Sequence, residues 1–112
     1  MRPAVDDIIQ LIENDNTGTH VSALSVLLEM VKEYPGDITP AVEPLIRVLD
    51  YDGYPDLSHW AASRILAFVA REHAGAVKPF VDSLVDCLAR EPTEIRANVG
   101  YTLARIADEH PA

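Results

Sequence analysis

Cysteine is almost missing from this chain: Cys87 stands alone, so no internal disulfide can form. No apolar run approaches the roughly 18 residues needed to cross a membrane, and the start MRPAVDD lacks the apolar core of a signal peptide. A cytoplasmic chain is therefore the expectation. Phosphate-cradling loops of the GxGxxG or Walker type are missing, as is an HExxH metal motif. Strand-type alternation of useful length is missing too, which leaves helices as the regular element. Lysine is scarce, with Lys32 and Lys78 against seven arginines, and the nine basic residues face eighteen acids.

The resulting net charge of −9 repels nucleic acid and anionic membranes on average, so neither is an expected partner. Acidic, lysine-poor chains resemble those of organisms that keep molar salt in their cytoplasm. A GC-rich genome would also favour Arg over Lys, and both readings stay open. What the chain does hold is apolar content, 48% of 112 residues. That suffices for a single domain, residues 1–112, burying ~65% of the surface its unfolded chain exposes.

Internal copies organise the rest. PAVDDIIQLIE, PAVEPLIRVLD and PFVDSLVDCLA align without a gap from Pro3, Pro40 and Pro79. Each carries apolar residues at helical spacing: Val5, Ile8, Ile9 and Ile12; Val42, Leu45, Ile46 and Leu49; Val81, Leu84, Val85 and Leu88. Pro in a first turn costs no intrahelical bond. HVSALSVLLEMVKEY, HWAASRILAFVAREH and RANVGYTLARIADEH align in turn from His20, His59 and Arg96. First-segment starts are 37 and then 39 residues apart, second-segment starts 39 and then 37, so the middle copy holds two extra residues in its inner turn. That turn lies in YDGYPDLSHW, residues 51–60.

The expected fold is all-α: six helices in three hairpins, spanning about 3–36, 37–74 and 75–112. Asp56, Thr93 and either Thr17 or Thr19 are expected to N-cap the second helices. Pro35-Gly36, Gly75 and Pro111 are expected to stop them.

The third copy, PTEIRANVGYTLARIA from Pro92, resembles the HEAT or armadillo-like repeats: a turn proline, a hydrophobe–Arg pair, then small and apolar residues. The likeness spans Pro3 to Pro111 and implies a right-handed α-solenoid whose second helices line a concave face. It also implies a ladder between that Arg and neighbouring acids. His20 and His59 stand in place of Arg96 in the first two copies, so a regular ladder is not expected here. The first helix shows a polar outer stripe of Asp6, Asp7, Gln10 and Glu13, as a capping helix should. The third hairpin shows less capping, which offers an exposed end for stacking or a homodimer.

Residues for chemistry are thin. His20, His59, His73 and His110 sit at four separate helix ends, and Cys87 aligns with the apolar Leu11 and Val48, as a core thiol would. Asp50, Asp52, Asp56 and His59 cluster within ten residues but lack the spacing of a calcium loop. A solvated acidic turn with a helix cap accounts for them. No catalytic residue, metal site or cofactor is expected.

The second helices carry the stronger signal. Opposite their core, at about 100° per residue, lies one shared arc: Ser22, Ser25, Glu29 and Lys32; Ala61, Arg64, Phe68 and Arg71; Asn98, Tyr101, Arg105 and Asp108. It holds four of the nine basic residues and two of the eighteen acids, with Trp60 at its edge. Arg and aromatic residues dominate binding hot spots. The expected function is a non-enzymatic interaction module taking an acidic or amphipathic segment of another protein, through Lys32, Trp60, Arg64, Phe68, Arg71, Tyr101 and Arg105. The alternatives are a fragment of a longer array, or a HEAT-like enzyme of the bilin lyase or DNA-repair glycosylase type. A glycosylase needs a basic groove, against which the net charge argues.

Overall fold

Apolar stripes every three to four residues need a partner surface, and the chain supplies it by folding its helices onto one another. The computed structural model describes residues 3–13, 17–51 and 53–109. The helices are α1 (Pro3–Ile12), α2 (Thr17–Glu33), α3 (Val42–Asp50), α4 (Asp56–Val77), α5 (Val81–Arg90) and α6 (Thr93–Glu109). Short 3-10 segments, Pro35–Ala41 and Lys78–Phe80, lead into α3 and α5. No strand occurs among the described residues. Pro40 and Pro79 fall in these 3-10 segments, so the helices they were expected to open begin two residues later.

α1 packs on α2, α3 on α4, and α5 on α6; α4 lies between α2 and α6, and α3 also meets α5. The shortest dimension is 19 Å, room for two helix layers about 10 Å apart and no third. The core between the layers comes from Ile12, Leu24, Leu27, Leu45, Leu49, Ile65, Leu66 and Leu84, all fully buried. Along α4, buried Ala61, Ala62, Ala67 and Ala70 let its neighbours approach closely.

Several boundaries differ from expectation. Asp56 and Thr93 are the first residues of their helices, not their caps; Pro55 takes the cap position of α4 with φ −67° and ψ 161°, and no side chain bonds there. Its carbonyl accepts from the N–H groups of Ser58 and His59 at 2.9 and 3.4 Å. The proline ring fixes the extended entry that an Asx cap would otherwise favour. Thr19 lies inside α2, and the Thr17 side chain lies outside the described residues, as do Asp52, His110 and Pro111. Gly75 does not stop the second helix. The break comes at His73 (φ −134°, ψ 51°), after which the chain resumes a helical turn to Val77.

Burial also corrects the periodicity. Leu11, Val85 and Leu88, on apolar positions of the first helices, are exposed, while Ala61, placed on the outer arc, is buried.

Candidate partner-binding site

α4 and α6 run side by side, and the groove between them is lined by Arg64, Ala67, Phe68 and Arg71 from α4 and by Asn98 and Tyr101 from α6. Its volume is about 300 Å³. Arg64 and Phe68 are four apart on one helix face, which sets the guanidinium carbon 5.3 Å from the ring centroid. Asn98 is fixed at the floor: its Nδ2 donates to Ser63 Oγ at 3.1 Å, and Ser63 Oγ donates to the Trp60 carbonyl at 2.8 Å. Among the described residues no acidic side chain lines the groove, and two arginines flank a half-buried Phe and an exposed Tyr.

Four of the residues singled out in the sequence, Arg64, Phe68, Arg71 and Tyr101, thus meet around one depression. Arg105 adjoins it as a strut: Nη2 donates to the Arg71 carbonyl at 3.0 Å, and Nη1 lies 3.6 Å from Asp108. Lys32 is on α2, where its Nζ donates to Glu29 at 3.1 Å, away from the groove lining. Trp60 is half-buried in a neighbouring depression with Asp56, Leu57, Pro92, Glu94 and Ile95. Ala67 belongs to the lining but has no side chain that sequence reading would select.

Another hollow, about 430 Å³, lies between α1, α3 and the turn at Tyr51, lined by Glu13, Arg47, Asp50, Tyr51 and Tyr54 among others. Arg47 is already engaged there, donating to Glu13 at 2.9 Å and lying 3.6 Å from Glu43. Its charge is balanced within the fold, unlike the cationic rim of the α4–α6 groove.

Two histidines, His20 and His59, are buried between helices. His20 is fully buried; its Nδ1 donates to the Ile12 carbonyl at 2.6 Å, and Nε2 accepts from Ser58 Oγ at 3.0 Å. The Tyr54 ring stacks on it, centroids 4.1 Å apart, and Tyr51 meets Tyr54 edge-on at 4.8 Å. A Cβ at Gly53 would meet the exposed Tyr51 ring, which would have to swing aside. His59 repeats the pattern one hairpin later: Nε2 donates to the Tyr51 carbonyl at 2.9 Å, and Nδ1 lies 2.8 Å from the buried Glu91 carboxylate. The equivalent positions meet unlike partners, a hydroxyl for His20 and a carboxylate for His59. Arg96, at the third equivalent position, is exposed and donates to Thr93 of its own helix at 3.2 Å.

His59 bonds the backbone of the turn and the carboxylate of Glu91, while Asp50 lies 3.9 Å from Arg90 and accepts from Ser83 at 3.3 Å. Among the described residues no group of three or more His, Cys, Asp or Glu side chains is placed to hold a metal ion. Nor is any helix of these residues long and apolar enough to cross a membrane.

Cys87 is buried, which pushes its thiol up to about 11 from 9.0; nearby Arg90 offsets only part of that. At pH 8 the folded chain should react with an aromatic disulfide reagent about 100-fold more slowly than the urea-unfolded chain, from thiolate fraction alone. Equal rates before and after unfolding would place Cys87 in reach of solvent. Because the folded thiol holds its proton more tightly, stability should fall as pH rises from 9 to 11.

Compared with family models, curated proteins and solved structures, the chain matches none.

Proposed function

We propose that the chain is a non-enzymatic interaction scaffold of the cytoplasm. Its helices form three HEAT-like hairpins (3–36, 37–74 and 75–112), stacked as a right-handed α-solenoid. The α4–α6 groove holds an acidic or amphipathic segment of another protein. The single observation behind this is the convergence of Arg64, Phe68, Arg71 and Tyr101 from two helices on one depression without an acidic lining residue. In a chain with twice as many acids as bases, such a cationic, aromatic-floored strip is a local reversal. Aromatic and Arg side chains anchor interfaces because they bury large area with few rotors to freeze.

A fluorescein-labelled amphipathic peptide of alternating Glu and Leu/Phe turns serves as the probe. The double variant Arg64→Glu, Arg71→Glu changes only exposed side chains and should keep its circular dichroism. Its affinity for the peptide should fall by roughly 30-fold, the equivalent of about 2 kcal/mol for reversing two rim charges. A Lys-for-Glu peptide should bind the native chain poorly. Unchanged anisotropy titrations with the variant would remove the groove from consideration. Arg105 is unsuitable for this test, since its bond to the Arg71 carbonyl ties α6 to α4.

A further inference from the structure

The three hairpins repeat one another in sequence but not in burial, and the differences fall at the two ends. At one aligned position stand Ile12, Leu49 and Leu88; the first two are fully buried, the third is 36% exposed. At the next stand Ile9, Ile46 and Val85, half-buried, buried and 52% exposed. Leu103 of α6 is half-buried where its counterparts Leu27 and Leu66 are fully buried. The third hairpin thus shows the flank that the first two keep covered.

The first hairpin shows the opposite flank. Leu11 is 42% exposed, whereas its counterparts Val48 and Cys87 are buried; Val26 is 46% exposed, whereas Ile65 and Thr102 are buried. The polar stripe of Asp6, Asp7, Gln10 and Glu13 is exposed as expected, but it leaves Leu11 bare. Two apolar flanks are therefore open, and each is one half of a junction that forms twice within the chain, between the first and second hairpins and between the second and third.

We propose that the chain stacks head to tail on a second copy of itself, the third hairpin's flank seated on the first hairpin's flank of the next molecule. The occupant is defined by the chain's own internal junctions, where these flanks already meet hairpins of the same build. Arg96 occupies the position from which His20 and His59 cross to the next hairpin, and places an exposed cation at a junction with a chain of net charge −9. Because the two flanks differ, the contact is heterologous and does not close on itself as a two-fold dimer would. Copies of one strongly acidic chain repel each other, and salt screens that repulsion. Stacking should therefore grow with KCl as well as with protein concentration. The inference rests on the stacked-hairpin arrangement but not on what fills the α4–α6 groove.

Sedimentation velocity of the full chain, from micromolar to millimolar protein and from low to molar KCl, provides the readout. The average mass should rise past a dimer without a plateau. Variants Val85→Glu, Leu88→Glu and, separately, Leu11→Glu, Val26→Glu should each be monomeric, with melting curves showing that both remain folded. Mixed one to one, they should form a dimer that grows no further, because each supplies the flank the other lacks. The Arg64→Glu, Arg71→Glu variant should stack as the native chain does, which separates this result from groove binding. A native chain that stays monomeric throughout overturns the proposal. So does a dimer that survives in either flank variant alone, since that would be a two-fold contact.

Discussion

Leu49→Ala should lower the unfolding free energy by about 3–4 kcal/mol, while Leu88→Ala, the same change at the aligned position, should cost about 1 kcal/mol or less. Leu49 is fully buried between α3 and its neighbours, so truncation removes transfer energy and leaves a cavity the packed helices cannot collapse. Leu88 already meets solvent on the flank of the third hairpin, so truncation leaves little void. Urea denaturation at low protein concentration and low salt, where copies do not stack, compares the two directly. A loss of 3 kcal/mol amounts to a large share of the roughly 5–15 kcal/mol that holds an ordinary domain together. Equal costs at the two positions would mean that the flanks are covered alike, and the reading of open ends would fail.

The second large effect is expected at Glu91. Its carboxylate and the His59 ring are each nearly inaccessible, 5% and 6% exposed, and 2.8 Å apart. The other ring nitrogen lies 2.9 Å from the Tyr51 carbonyl, so both ring nitrogens are engaged inside the fold. Arg90 Nη1 lies 3.7 Å from the same carboxylate oxygen. Glu91→Ala leaves the buried His59 Nδ1 without its partner, and a loss of about 3 kcal/mol follows, with a fall in Tm of roughly 10 °C or more. Glu91→Gln keeps an acceptor for Nδ1 and should cost about 1–2 kcal/mol. A double-mutant cycle with His59→Ala should show coupling of at least about 1.5 kcal/mol. If Glu91→Ala shifts stability by less than about 0.5 kcal/mol, as at ordinary surface carboxylates, the pair does not hold the seam.

The all-helical character was legible because apolar residues recur at helical spacing in all six aligned segments, and Pro35-Gly36 does follow α2. The offsets of Arg64, Phe68, Arg71 and Tyr101 were enough to place them on one side of their helices, and α4 and α6 then bring them together. Which flank is covered was not legible. Ile46 and Leu49 carry the same pattern as Val85 and Leu88, and periodicity records a face, not its neighbour. Ala61 was misplaced for the same reason, since α4 has neighbours on both sides. The cap of α4 shifted by one residue because Pro55, just before Asp56, takes the entry geometry. The break at His73 has no sequence signal beyond Gly75 two residues on. The turn YDGYPDLSHW was visible as two residues too long. That its Tyr54 roofs His20 needed coordinates, because the partners lie 34 residues apart in the chain.

The two seams differ chemically although their histidines are equivalent. The first closes on a neutral hydroxyl with a tyrosine lid supplied by the lengthened turn; the second closes on a buried carboxylate backed by Arg90. Hairpins that look like interchangeable bricks are therefore keyed. Joining the third directly to the first would set Glu91 against a ring arranged to accept from a hydroxyl, and would leave that ring without its lid. Removing residues 37–74 would take away both Ser58 and Tyr54, and His20 would lose its hydroxyl partner and its stacked ring together.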